Sequence, residues 1–445
     1  RQADGSAWED ATSFPGSPAD RTKQTFYPDA SRIYEEIDRL GVGGDGRSVE
    51  LSTVADFDFV RACPPGGWKK GRAAEARTDV GEGDIAPEAL GVDFHGYYPL
   101  HLHREPTLAS LARATTIVQR TLDSGEYTGA QWLEGSPTTE ESMYWLGLLI
   151  DTTLPLVGHS AQRPHGSLSA DGDRNIVDGV KYILSGVSLD RTGVDQVGSV
   201  MIVDEMVYAA REVTKTDARP GGYDVVGGHG GVVADMGGYG SPQLTFVSTR
   251  KHTSTSELRL TKLPDYVMGV TGKPGAPRPV EVQLKDAEGG LLASAMPHVS
   301  FTKFFRYLTV GVDAGEADAS SEVEILARIR ENLAGAPLSG FVAEGMSPYG
   351  LTHPTSNAAL KLAAFSGMPV VRVGRGNTGG MAYDWDPFAV AGNNLSATKA
   401  RILLMAAMLK FGALPPAQDP ANPTPAEEAA LTTALTAYQE VFNTH

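Results

Sequence analysis

A chain of 445 residues with 41% hydrophobic content can bury the cores of two or more domains, and it has no uninterrupted apolar run long enough to cross a bilayer, so no membrane partner is expected. The formal charge of −16 is spread along the chain rather than gathered into a tail, which argues against a nucleic-acid partner and for solubility. Cys63 is the only cysteine, so no internal disulfide can form; with no signal peptide visible, the compartment stays open between cytoplasm and periplasm or secretion.

Residues 1–30 are polar and without periodicity. Helical spacing runs through 31–40, a strand is expected at 48–54, and the Gly-, Pro- and charge-rich stretch 62–92 reads as a long insertion or loop. Leu108, Leu111, Ala114, Ile117 and Val118 share one side of a helix expected from about Thr107 to Leu122. A strand near 129–133 leads into Glu134-Gly135-Ser136-Pro137-Thr138-Thr139-Glu140-Glu141-Ser142-Met143-Tyr144-Trp145, a strand end, a tight hydroxyl-bearing turn and a helix. Thr138 can cap that helix, and Glu141 can reach back to complete a capping box. Ser136 then stands just ahead of a helix N-terminus, where unpaired N–H groups and the macrodipole favour an alkoxide or an anion. That makes it a candidate for covalent or polar chemistry; the plainer reading is a turn serine that satisfies backbone groups.

Short buried-type strands are expected at 154–157 and 198–203, with a helix at 175–184 between them. Strands alternating with helices imply βαβ units and a parallel sheet covered on both faces. After Leu244 the character changes. Arg250-Lys251-His252-Thr253-Ser254-Thr255-Ser256 is linker-like. A second α/β pattern follows: strand 305–310, helix 321–332, strand 340–344, helix 357–367, strand 369–373, helix 397–410, a Pro-rich stretch at 414–424 and a terminal helix from about Ala426. The expected organisation is an N-terminal α/β domain at 1–245, a linker at 246–264 and a smaller C-terminal α/β domain at 265–445.

His95, His101, His103 and Glu105 include two rings on one face of an extended segment, but zinc needs three or four converging ligands, so no metal is expected. Gly227-Gly228-His229-Gly230-Gly231 lacks the Gly-Lys-Ser/Thr of a phosphate loop, and no Gly-x-Ser-x-Gly elbow occurs. In Arg211-Glu212-Val213-Thr214-Lys215-Thr216-Asp217, Lys215 can activate a hydroxyl if burial lowers its pKa; the alternative is a surface lysine paired with Glu212 or Asp217. Arg163-Pro164-His165-Gly166-Ser167-Leu168-Ser169-Ala170-Asp171-Gly172 reads as a polar turn in which Asp171 caps the next helix or anchors the turn.

Taken in order, these segments resemble the bacterial-type L-asparaginase/glutaminase family. The Ser136 motif resembles its His-Gly-Thr-Asp-Thr-Met-Glu-Glu-Thr stretch, the Arg163 run its Arg-Pro-x-x-x-x-Ser-Ala-Asp-Gly signature, and Glu212 to Thr216 its Asp-Val-Thr-Lys-Thr segment. Arg250-Lys251-His252-Thr253-Ser254 matches its linker, and Lys399-Ala400-Arg401-Ile402-Leu403-Leu404 its last long helix. The resemblance implies a larger N-terminal domain with a mostly parallel sheet covered by helices, a smaller C-terminal α/β domain, and dimers usually paired into tetramers. It also implies amide hydrolysis by threonine nucleophiles without metal or cofactor.

The chain departs from that pattern. Ser136 stands for the catalytic threonine of the second stretch, Pro137 for the aspartate that binds the substrate's amino group, and Glu134 for the preceding histidine. The pair that grips the α-carboxylate is not evident near Val54-Ala55, and the Thr-Gly-Gly-Thr segment is absent. Residues 1–40 look like what normally follows that segment, which puts the first strand upstream of Arg1, on a separate or cleaved chain, or lost. Because a sheet missing a strand leaves backbone groups unpaired, a separate chain supplying it is favoured over loss.

The expectation is an asparaginase-like amidohydrolase cleaving a C–N amide bond, a lactam or imide included, of a small molecule that is not a free α-amino acid. Ser136 is its nucleophile or proton-relay hydroxyl and Lys215 its base. Thr138 or backbone N–H groups at the helix start steady the oxyanion. Ser347 and Tyr349, in Gly345-Met346-Ser347-Pro348-Tyr349, fall where the resemblance brings the second domain to a neighbour's site. One alternative is an ordinary asparaginase or glutaminase with the amine held by Glu134 or another carboxylate. Another is a non-catalytic subunit of a larger assembly.

Overall fold

The computed structural model describes residues 107–163, 171–219, 221–225, 230–237, 241–305, 318–376 and 386–445. The expected helix at 31–40, the strand at 48–54, the insertion at 62–92, the His95–His101–His103–Glu105 group and the Val54-Ala55 position lie outside these residues, as do 164–170 and 306–310.

Helix α1 (Leu108–Asp123) starts from a capping box in which the Thr107 hydroxyl accepts from the Ser110 N–H at 3.2 Å. Its buried face is Ala112, Thr115, Thr116, Gln119 and Leu122, rotated from the apolar stripe expected through Leu108, Leu111 and Ile117. Polar residues tolerate this burial because each is paired. Thr115 Oγ1 accepts from Trp145 Nε1 at 2.7 Å, Thr116 Oγ1 from the Leu291 N–H at 2.9 Å, and Gln119 Oε1 from the Asp151 N–H at 2.8 Å.

The first sheet is built from β1 (Ala130–Leu133), β2 (Leu156–His159), β3 (Val200–Val203) and β4 (Met206–Ala209). β5 (Val213–Lys215) and β6 (Tyr223–Val225) form a separate antiparallel pair, and β7 (Val232–Asp235) and β8 (Gln243–Leu244) return to the sheet, whose order is β1-β2-β3-β4-β7-β8. β1, β2 and β3 run parallel, as alternating strands and helices imply. From β3 onward the sheet is antiparallel, which the sequence pattern did not signal. The reversal is the turn Asp204-Glu205, with φ of 53° and 64°. Two consecutive positive-φ residues are what a tight hairpin needs, and Asn-Gly is its usual spelling. Here Asp204 is steadied instead by its N–H, which donates to Asn175 Oδ1 at 3.1 Å.

Helix α2 (Thr139–Leu149) lies against this sheet and α3 (Gly172–Ser185) follows β2. Two glycines permit the close approach. A Cβ at Gly147 would stand 2.1 Å from Ser199 Oγ, and one at Gly158 in β2 would stand 2.2 Å from Met143 Cγ. Ser199 Oγ donates to the Met143 carbonyl at 2.9 Å, tying helix to sheet.

A hairpin, β9 (Tyr266–Lys273) and β10 (Ala276–Gln283), comes next. Pro277 and Pro279 conceal β10 in the sequence; they are tolerated because it has a neighbour on one side only. The second sheet is parallel throughout, in the order β11 (His298–Lys303), β12 (Ser339–Gly345), β13 (Val370–Gly374), β14 (Val390–Ala391). Its first strand precedes the expected 305–310 segment. Helices α4 (Val323–Gly335), α5 (Pro354–Phe365), α6 (Ala397–Phe411) and α7 (Pro425–Thr444) complete the described elements. α6 is apolar on nearly every side, with Leu403, Leu404, Met405, Ala406 and Met408 fully buried, because it is packed between α2 and β11–β12. No helix among the described residues is long and apolar enough to cross a membrane.

Candidate active site

The backbone of β1 continues past its end, with the Glu134 N–H donating to the His159 carbonyl at 3.2 Å. The chain then turns through Gly135 to Thr138, with a cis Ser136–Pro137 peptide, and enters α2. The expected capping box does not form. Thr138 already has helical angles (φ −67°, ψ −18°), so its hydroxyl points back and donates to the Gly135 carbonyl at 3.2 Å. Buried Thr139 clamps the turn instead, its hydroxyl donating to the Glu134 carbonyl at 2.9 Å. Glu141 faces Arg401 at 3.6 Å rather than reaching back.

Within this turn Ser136 Oγ accepts from Lys215 Nζ at 3.0 Å and from the Tyr223 hydroxyl at 3.0 Å. Lys215 and Tyr223 stand directly opposite each other in the β5–β6 pair, so their side chains share a face. Lys215 Nζ lies 4.8 Å from the Tyr223 ring centroid, in cation–π range. It also donates to Gln162 Oε1. Glu140, in the first turn of α2, positions β5, since its carboxylate accepts from the Lys215 N–H at 2.6 Å and from Thr214 Oγ1 at 3.2 Å.

Burial pushes the Lys215 amine below the usual lysine value, against the opposing fields of Asp171, Asp217 and Glu140. Burial also raises the Tyr223 phenol, against its hydrogen bonds with Ser136 and Ser160. The expected alternative partners of Lys215 are engaged elsewhere. Glu212 binds Arg211 and, at 2.8 Å, the Asn394 side chain, while Asp217 binds Arg219. Asp171 anchors the turn, accepting from the Gln162 N–H at 3.0 Å and the Arg163 N–H at 2.9 Å, and makes no side-chain cap on α3.

Of the other expected site residues, half-buried Glu134 uses Oε2 to accept from Trp132 Nε1 at 2.7 Å. Ser347 and Tyr349 belong to the turn after β12 on the second sheet, where Ser347 Oγ donates to the Arg375 carbonyl and Tyr349 is 40% exposed. Tyr223, Gln162 and Glu140 were not singled out from the sequence, and neither was Lys399. Lys399 is fully buried on α6, with Nζ donating to the carbonyls of Glu140 at 2.5 Å and Ala210 at 2.6 Å. Burial brings its amine down to about 8. Tyr223 becomes visible only once the β5–β6 hairpin is recognised. Among the described residues no group of three or more His, Cys, Asp and Glu side chains is placed to hold a metal.

Fold and site together define an α/β protein with a lysine–hydroxyl centre between a helix N-terminus and a small hairpin. A family model described as "Asparaginase, N-terminal" matches residues 104–221, the stretch that holds Ser136, Gln162 and Lys215. The glutaminase-asparaginase of Acinetobacter glutaminasificans is 28% identical over 157 residues, 35% of this chain and 44% of that protein. L-asparaginase 2 of Escherichia coli (strain K12) is 30% identical over 131 residues, 29% of this chain and 35% of that protein. The chain thus spans less than half the length of the curated relatives it matches. The crystal structure of a probable cytoplasmic L-asparaginase from Campylobacter jejuni shares the fold, with a TM-score of 0.53 at 18% identity over 77% of this chain and 85% of that one. Residues 104–221 are thus similar to the N-terminal part of the asparaginases, and the fold is one that an L-asparaginase shares.

Proposed function

We propose that this chain is an amidohydrolase that cleaves a C–N amide bond of a small molecule through Ser136. The observation that carries the reading is the convergence of Lys215 Nζ and the Tyr223 hydroxyl on Ser136 Oγ, each at 3.0 Å. A hydroxyl nucleophile needs a base within hydrogen-bond reach, and an amine that burial holds below its usual pKa can serve. Ser136 Oγ adds to the amide carbonyl carbon as its proton passes to Lys215. The C–N bond breaks as that proton goes to the leaving nitrogen. Water then adds to the serine ester, gives a proton to Lys215, and Ser136 recovers its own as the carboxylic acid departs. Tyr223 donates to the serine oxygen and steadies its developing charge.

The substrate is an amide without an α-ammonium group. Pro137 offers no carboxylate beside Ser136 to receive one. A second reading, L-asparaginase or glutaminase activity, is favoured by Glu134, whose carboxylate is fixed by Trp132 close to Ser136 in the chain. In either case a dimer or tetramer, with the neighbour's Ser347 and Tyr349 closing the site, belongs to the reading. The test is release of ammonia by the full-length protein from L-asparagine, L-glutamine and succinamic acid, and ring opening of simple lactams to the corresponding amino acid. Turnover of the last two with little from the amino acids is expected; turnover of asparagine alone selects the second reading. No turnover of any, or equal turnover by Ser136→Ala, overturns both.

A further inference from the structure

Among the described residues, the near neighbours of the Lys215 amine are uncharged: Ser136 Oγ, Gln162 Oε1 and the Tyr223 ring. The carboxylates that face it, Asp171 before α3, Asp217 after β5 and Glu140 on α2, act on it only through space. Each is occupied elsewhere: Asp171 with the N–H groups of Gln162 and Arg163, Asp217 with Arg219, and Glu140 with the Lys215 N–H and Thr214.

Gln162 is held in one orientation. Its Nε2 donates to the Ala218 carbonyl at 2.5 Å, and a carbonyl can only accept, so Oε1 is the end presented to the amine. Its backbone is pinned by both Asp171 oxygens at 3.0 Å. Oε1 also lies 3.5 Å from Ser136 Oγ, so one oxygen faces both members of the pair.

We propose that Gln162 is a positioning residue that holds Lys215 Nζ against Ser136 Oγ with an uncharged oxygen. The proposal rests on the Ser136–Lys215 reading above. A carboxylate in the same place would position the lysine equally well but keep it charged, because an adjacent opposite charge favours the ionised form. The neutral amide supplies the geometry and leaves the amine free to give up its proton.

Two variants separate charge from shape. Gln162→Glu is nearly isosteric and adds the charge. It should raise the protonation midpoint of Lys215 by about one pH unit or more, leaving about tenfold less neutral amine at any pH below it. Gln162→Met keeps the length, removes the acceptor and should lower the midpoint. The midpoint is read directly from the pH dependence of acylation by acetic anhydride, followed by mass spectrometry of the peptide carrying Lys215, on the full-length protein. The pH profile of amide hydrolysis is recorded alongside. A rise in Gln162→Glu and a fall in Gln162→Met support the proposal; the fall in Gln162→Met alone carries it if Gln162→Glu does not fold. Midpoints equal to that of the parent protein in the folded variants, or a fall in Gln162→Glu or a rise in Gln162→Met, overturn it. If the midpoints move as expected while no amide is turned over, the hydrolase reading fails and the role of Gln162 stands.

Discussion

Lys215 Nζ lies 3.0 Å from Ser136 Oγ although 79 positions separate them in the chain. The contact depends on two independent placements. The turn before α2 presents the serine, and the β5–β6 hairpin presents the lysine, with Glu140 joining the two through the Lys215 N–H.

If that pair performs the chemistry, Ser136→Ala and Lys215→Met each lower kcat/KM by about 10²-fold or more, the size of a positioned acid–base contribution. The two together cost little more than either alone, because they act as a unit. Steady-state kinetics on the best amide checks this. Thermal melts within a few degrees of the parent protein separate lost chemistry from lost fold.

If Lys215 is the base, it must be neutral to accept a proton, and activity should rise with pH. The burial of its amine places the midpoint of that rise below the ordinary lysine value of 10.5. A pH profile that falls over the range from neutral upward, or is flat, contradicts a lysine base.

Two buried groups bend the stability profile in opposite senses. His159 is fully buried and its pKa is lowered by burial from 6.5 to about 4. The native state resists protonating it, so stability is lost as pH falls from 6.5 to 4, by about 3 kcal/mol in all. Asp195 is raised by burial from 3.8 to about 6. The native state there binds a proton more readily than the unfolded chain, so stability is lost as pH rises from 3.8 to 6. In the parent protein the two largely offset each other. Relative to the parent protein, urea unfolding between pH 4 and 7 should show Asp195→Asn losing stability more steeply toward acid and His159→Gln less steeply, the buried His445, also lowered to about 4, acting alike in all three.

Gly147→Ala should cost about 1–3 kcal/mol, since the added carbon would meet Ser199 Oγ at 2.1 Å where α2 crosses the sheet. Ser199→Ala in the same chain removes the nearest obstacle and should restore part of the loss; a Cβ contact at 3.1 Å would remain. Chemical denaturation of the single and double variants tests the coupling.

Much of this architecture is written in local pattern. α6 announces itself by an unbroken apolar run, β12 and β13 by short apolar stretches, and the Ser136 turn by its Gly, Pro and hydroxyl residues. What escapes is decided by partners far along the chain. The buried face of α1 is set by Trp145, Asp151 and Leu291, which satisfy Thr115, Gln119 and Thr116. The antiparallel half of the first sheet hangs on Asp204-Glu205, a hairpin turn without its usual glycine. In the site, Ser136 and Lys215 stand out because hydroxyl and amine carry chemistry in any context. Gln162 and Tyr223 acquire meaning only from what they face. Thr138 illustrates the reverse: a residue of the right type for a cap becomes a donor once its backbone is helical.

Lys399 reaches from α6 to the carbonyls of Glu140 and Ala210, beneath the start of α2 and beside the approach to β5. A break in the polar stretch around Lys251 would therefore not release two self-sufficient proteins. The piece with the serine, lysine and tyrosine would lose the cation on which its helix start rests. Split into fragments and mixed, the protein should regain its Ser136 centre only as fast as the second fragment delivers that one side chain.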